Sequence, residues 1–178
     1  MPPRVALVSG SSRGLGAVIA ARLARDGLAV AVNGLHDDDE LAAVVRAIRS
    51  DGGVAAAFDA DVTDGSAVGA LAAAVADRLG PIDILVVNAT GPQPNIPLLD
   101  VGWDDHLAQL DYFVRSPVLL GRHIVPGMQA RGYGRIVHID SEVADRPPPH
   151  RSAYTTAKSA QVGLMRSATS ESMCTMRP

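Results

Sequence analysis

The sequence predicts a doubly wound α/β domain built on a parallel sheet of five strands. Three observations lead there. Short apolar runs alternate with longer segments of helical periodicity along most of the chain, and strands separated by helices pair in parallel through right-handed crossovers. The runs are apolar almost throughout rather than alternating, as in a sheet covered on both faces. The chain also carries 28 alanines among its 178 residues, which suits helices packed closely on a sheet.

The elements follow in order. Val5-Ala6-Leu7-Val8, closed by Ser9-Gly10, reads as the first strand. Leu15 to Arg25 has apolar residues at helical spacing and stops before Asp26-Gly27. Leu28 to Val32 is the second strand, ending at Asn33-Gly34, and Asp38 to Ser50 is a helix with acidic residues in its first turn, where the dipole favours them. Val54 to Phe58 is a weaker third strand, and Thr63 to Leu79 a helix capped by Thr63 or Asp64. Ile82 to Val87 is the fourth strand, apolar apart from Asp83. A loop containing Gly91-Pro92-Gln93-Pro94 leads into a long helical region from about Val101 to Ala130, which Pro117 and Pro126 should bend or break. Arg135 to Ile139 is the fifth strand. Pro147-Pro148-Pro149 marks a rigid loop before the last helix, Ser152 to about Ser170.

Length argues for a single domain over residues 1–178. A formal charge of −3 with no basic block argues against nucleic-acid and anionic-membrane partners, which need clustered cations. The lone cysteine, Cys174, excludes an internal disulfide framework and a multi-thiolate metal site. No stretch approaches the length of a membrane span, and Met1-Pro2-Pro3-Arg4 opens without a signal-peptide pattern, so a cytoplasmic protein is expected. The basic residues are 15 arginines and one lysine, Lys158. The histidines (His36, His106, His123, His138 and His150) are scattered and receive no role.

Between the first strand and first helix lies Ser9-Gly10-Ser11-Ser12-Arg13-Gly14-Leu15-Gly16. Gly10 permits a tight turn, Gly14 lets backbone approach a pyrophosphate, and Gly16 lets the helix pack close to the sheet. The N–H groups at the helix start then face the anion. The position after a strand and before a helix is the context such a loop requires. Its spacing, [S/T]-G-x-x-x-G-x-G, resembles that of the short-chain dehydrogenase/reductase family.

Distant motifs extend the resemblance. Asp61-Val62 follows the third strand, where the family places an Asp-Val pair against adenine, and Asn88-Ala89 lies in a segment similar to the family's Asn-Asn-Ala-Gly, with Val87 and Thr90 in place of the first Asn and the Gly. Tyr154 and Lys158 are four residues apart and share a helix face, and an ammonium near a phenol favours the phenolate, which suits Tyr154 to acid/base work. Ser141 lies 13 residues before Tyr154, the family's usual separation. The resemblance implies a Rossmann fold with strand order 3-2-1-4-5 and NAD(P) held by Gly10, Ser12, Arg13, Gly14, Leu15, Gly16, Asn33, Asp61, Val62, Asn88, Ala89, Tyr154 and Lys158. It also implies a homo-oligomer paired through the fourth and fifth helices.

The implied function, similar to the 3-oxoacyl-[acyl-carrier-protein] reductase branch, is hydride transfer between a nicotinamide and a ketone or secondary alcohol. Tyr154 would donate the proton, Ser141 orient the oxygen, and Lys158 favour the phenolate and hold the ribose; no metal is required. NADP(H) is expected over NAD(H). Asn33 stands where NAD-specific sites carry an acid, and Arg13 is placed to attract a 2′-phosphate, although Asp37, Asp38 and Asp39 lie nearby. The family's relay Asn would fall near Leu110 or Asp111, where no Asn is present and Asp111 is the candidate substitute. The resemblance runs from residue 4 to about 171 and lacks the family's later strands and substrate-binding helices. The chain therefore reads as a truncated member whose fifth strand is an edge prone to recruit other strands. Two rivals stand beside the enzyme: a catalytically inactive remnant that retains nucleotide binding, and a methyltransferase, which the Ser141, Tyr154 and Lys158 spacing disfavours.

Overall fold

The five apolar runs all pair in parallel, so the fold begins from how their side chains divide between two faces. The computed structural model describes the backbone of residues 2–175 and the side chains of residues 2–168. The chain forms two compact units, Met1–Ala89 with Val118–Ile139 and Thr90–Pro117 with Asp140–Pro178. The first unit holds the sheet: β1 (Val5–Val8), β2 (Ala29–Gly34), β3 (Val54–Asp59), β4 (Ile82–Val87) and β5 (Arg135–His138), in the order β3-β2-β1-β4-β5. Successive residues point to opposite faces. Val5 and Leu7 of β1 join one core with Leu71 and Val75 of α3 (Gly65–Arg78) and Leu120 and Ile124 of α5 (Ser116–Ala130). Val8 joins the other core, with Ala20 of α1 (Gly14–Arg25) and Leu41 and Val45 of α2 (Asp39–Ser50).

Local chemistry sets the element ends. Asp38 caps α2 by accepting the Leu41 N–H at 2.9 Å, and Asp64, not Thr63, caps α3 by accepting from Ser66 and Ala67. The charge inside β4 has a local reason. The β1–β4 register slips between Val5 and Ala6, and the Asp83 carboxylate accepts the Val5 N–H at 3.1 Å. β2 and β3 run past their expected ends because Asn33 and Gly34 still pair with Phe58 and Asp59. β5 is an edge strand, with Ile136 and Val137 half exposed.

The second unit departs further from expectation. The long helical region is three pieces: α4 (Trp103–Leu110), a π-helical stretch (Asp111–Arg115) and the start of α5. Pro117 does not end the helix. It is the second residue of α5, directly after the π-helical stretch, and the helix runs on to Ala130. Pro126 lies inside α5 without ending it. A 3₁₀ turn (Glu142–Ala144) precedes α6 (Ser152–Thr175), which outlasts its expected end near Ser170. Residues 176–178 lie outside the described residues.

Asn33 closes the sheet's C-terminal end. Its side chain is 1% exposed. Its oxygen accepts the Gly10 N–H at 3.2 Å, and its amide nitrogen donates to the carbonyls of Gly34, Phe58 and Ala60 at 3.1–3.2 Å. Truncation strands these buried groups, so Asn33→Ala should lower stability by about 2–3 kcal/mol. Urea denaturation checks this; an unchanged midpoint and slope would contradict the tie.

Candidate active site

In the first unit the glycine loop is held from beneath by short polar side chains. Ser9 Oγ accepts the N–H groups of Asn88 and Ala89 at 3.0 and 3.1 Å, and the Asn88 amide donates to the carbonyls of Ser9 and Gly10, both at 3.0 Å. Ser11 Oγ donates to the Val8 carbonyl and accepts the Asn33 N–H. Gly10 has φ +62°, and a Cβ there would stand 2.7 Å from the Ala89 backbone. A Cβ on Gly16 would run into the Gly10 carbonyl and the Asn88 amide, so the start of α1 sits on the loop as only glycine allows.

These features fit an anionic nucleotide. Arg13 precedes α1 in extended backbone, Gly14 follows at φ +57°, and no side chain caps the helix start. The N–H groups of the first turn have no intrahelical partner by geometry, and they carry the positive end of the dipole. The side chain of Arg13 is exposed beside Glu40, at 3.5 Å. Leu15 is exposed and Ser12 half-buried.

Three expected nucleotide residues have other engagements. Asn33 is a scaffold tie to the backbone rather than a side chain turned to a ligand, because four backbone groups use its amide. Val62 is buried in the core with α3. Asp61 is exposed and folds back on Thr63, accepting its N–H at 2.8 Å and its hydroxyl at 2.7 Å. Asn88 and Ala89 act beneath the loop, as described above.

In the second unit α6 carries Tyr154 and Lys158. The Phe113 ring of the π-helical stretch brings them together: the Tyr154 ring meets it edge-on at 5.4 Å between centroids, and Lys158 Nζ stands 4.3 Å from its centroid. Lys158 is 4% exposed, and its Nζ donates to Gln161 Oε1 at 2.9 Å. Burial lowers its pKa from 10.5 to about 8, and the negative charge of Asp140 opposes part of that fall. Ser141 opens the 3₁₀ turn, which packs on α6, and its Oγ accepts the Val143 N–H at 3.5 Å.

The helix facing the Tyr–Lys pair presents an aromatic ring to it. Asp111 pairs with Arg115 at 3.4 Å, and Leu110 is half-buried in the turn before it; Phe113 is the residue against Tyr154 and Lys158. Two polar residues missed by sequence reading also belong here. Gln161 lies three residues beyond Lys158, a spacing that already placed it on the same face. Gln109 donates to the Pro92 carbonyl at 2.8 Å, while its Oε1 and the Ser152 hydroxyl are buried without a hydrogen-bond partner among the described residues. Both line a cavity of about 10 Å³ beside Tyr154, which has room for one water.

No helix among the described residues is long and apolar enough to cross a membrane. Similarity to known proteins agrees with the fold. The chain is 32% identical over 161 residues to the human dehydrogenase/reductase SDR family member 4, covering 90% of this chain and 58% of that one. It is 34% identical to 2-dehydro-3-deoxy-L-rhamnonate dehydrogenase (NAD(+)) of a Sphingomonas species, covering 92% and 64%. The chain thus spans about three fifths of the length of these relatives. A metagenomic short-chain oxidoreductase crystallised with NADP superposes with a TM-score of 0.89 at 34% identity, over 96% of this chain and 77% of that one. The family model described as short chain dehydrogenase matches residues 4–175, and the chain belongs to that family.

Proposed function

We propose that the chain transfers hydride between NADP(H) and a ketone or secondary alcohol, with 3-oxoacyl thioesters the first substrate class to test. The observation that carries this reading is the meeting of Tyr154 and the buried Lys158 on the Phe113 ring. A buried ammonium is costly to hold and is kept where its charge has work. When bound, the nicotinamide supplies or takes up the hydride. In reduction the Tyr154 hydroxyl gives its proton to the substrate oxygen, and the Lys158 charge favours the phenolate left behind. The Ser141 hydroxyl donates a hydrogen bond to that oxygen. The glycine loop takes the pyrophosphate on its N–H groups, and Arg13 attracts a 2′-phosphate. The relatives' names add sugar-acid ketones as a second substrate class.

A second reading, nucleotide binding without turnover, has one observation in its favour. The helix facing Tyr154 and Lys158 presents the phenyl ring of Phe113 rather than a polar side chain. Activity separates the two readings. The chain should oxidise NADPH in the presence of a panel of ketones, 3-oxoacyl thioesters and keto sugar acids. Tyr154→Phe should lose about 100-fold or more of that turnover while binding NADPH as the parent does. A Tyr154→Phe variant with near-normal turnover would contradict the mechanism, and cofactor binding without turnover on any substrate would favour the second reading.

Two further outcomes follow from charge. Lys158 is protonated below about pH 8 and loses its charge above it, so kcat/KM for reduction should fall as pH rises through about 8. A profile flat from pH 6 to 10 would contradict this role. NADPH should bind more tightly than NADH, and Arg13→Ala should narrow the ratio about tenfold in a fluorescence titration. Tighter NADH binding by the parent would overturn the cofactor assignment.

A further inference from the structure

Lys158 is the only lysine in the chain, and its surroundings contain a feature that acid/base chemistry at Tyr154 does not by itself require. Gln161 is 1% exposed on the same face of α6, one turn beyond Lys158. A primary amide is costly to bury unless it is hydrogen-bonded, and an apolar side chain would fill that place without penalty. The Gln161 oxygen meets the ammonium at 2.9 Å, while the Phe113 ring stands under the same nitrogen at 4.3 Å. These contacts approach the cation from two elements, its own helix and the π-helical stretch.

We propose that Gln161 is a positioning residue for Lys158, holding the buried ammonium in one place and in its charged form through the amide oxygen. The inference rests on the reading that Lys158 serves Tyr154. A neutral acceptor suits that task. A carboxylate at the same point would neutralise the ammonium in an ion pair and raise its pKa, whereas an amide orients the cation without cancelling its field. The charged group bearing on Lys158 is Asp140, in the segment after β5; Tyr154 is the titratable group one turn before it on α6. Phe113 contributes its ring face, which attracts a cation without titrating. Burial works against the charged form, and the Gln161 bond, the ring and Asp140 work for it.

The single lysine makes the test direct. Lysine labelled at the ε position gives one side-chain resonance, and its midpoint in the parent should lie near 8. Gln161→Met keeps the length and apolar bulk but removes the acceptor, and should move the midpoint down by about one unit. Gln161→Glu should move it up by about one unit or more. General damage to packing does not produce shifts of opposite sign. In ketone reduction, the alkaline limb of the kcat/KM profile should move with the midpoint in each variant.

A readout on the parent alone covers the case in which a variant fails to fold. The Gln161 side-chain amide resonance should titrate with the same midpoint as Lys158. Equal midpoints in parent, Gln161→Met and Gln161→Glu would overturn the proposal, as would a Gln161 amide indifferent to Lys158 ionisation. If the midpoints move as stated while the parent reduces no ketone, the positioning role stands and the reductase reading falls.

Discussion

A parallel sheet ends in unpaired backbone groups, and in this protein the treatment of those groups at the C-terminal end of β1, β2 and β4 underlies the rest of the first unit. Chain must leave the sheet there without burying an unsatisfied amide or carbonyl. Four short polar side chains, Ser9, Ser11, Asn33 and Asn88, take up those groups from below. The glycine loop thereby becomes a fixed platform rather than a mobile connection. Gly10 and Gly16 complete it, because any side chain at either point would meet the Ala89 backbone or the Gly10 carbonyl. An anion-binding turn gains affinity when its N–H groups are already oriented.

The second unit is organised around a different cost, that of burying a cation. Lys158 lies almost wholly out of water, and its pKa falls to about 8. Its neighbours include a phenyl ring, an amide and the nearby charge of Asp140. Such an ammonium is more easily influenced near neutral pH than an exposed one, since its titration is brought within reach of physiological conditions. The π-helical stretch makes this environment possible by turning Phe113 toward α6.

Much of the scaffold was legible in the sequence because it depends on local signals. Apolar runs placed all five strands, the first three bounded by Ser9-Gly10, Asp26-Gly27, Asn33-Gly34 and Asp51-Gly52, and the family resemblance supplied their order, which the structure shows. Contacts over long separations were not legible. The identity of Asn33 suggested a ribose position, yet its amide is engaged by carbonyls at Phe58 and Ala60, which no local pattern reveals. The contact of Phe113 with Tyr154 and Lys158 was not legible either, because it depends on a π turn that α-helical periodicity does not signal. Gln161 was within reach of the sequence, since it stands three residues beyond Lys158 on the same helix face.

Carbonyl reduction, with the nucleotide at the glycine loop and Tyr154 and Lys158 as the acid/base pair, is the function proposed for this chain. It is tested most directly by following the hydride itself. NADPH carrying deuterium at both hydrogen positions of the nicotinamide C4 would be incubated with the purified chain and a ketone panel, and the alcohols analysed by mass spectrometry. One deuterium is expected on the carbinol carbon of at least one product, formed about 100-fold or more slowly when the Tyr154→Phe variant replaces the parent. Binding of NADPH without deuterium transfer to any ketone, or equal transfer by the Tyr154→Phe variant, would contradict it.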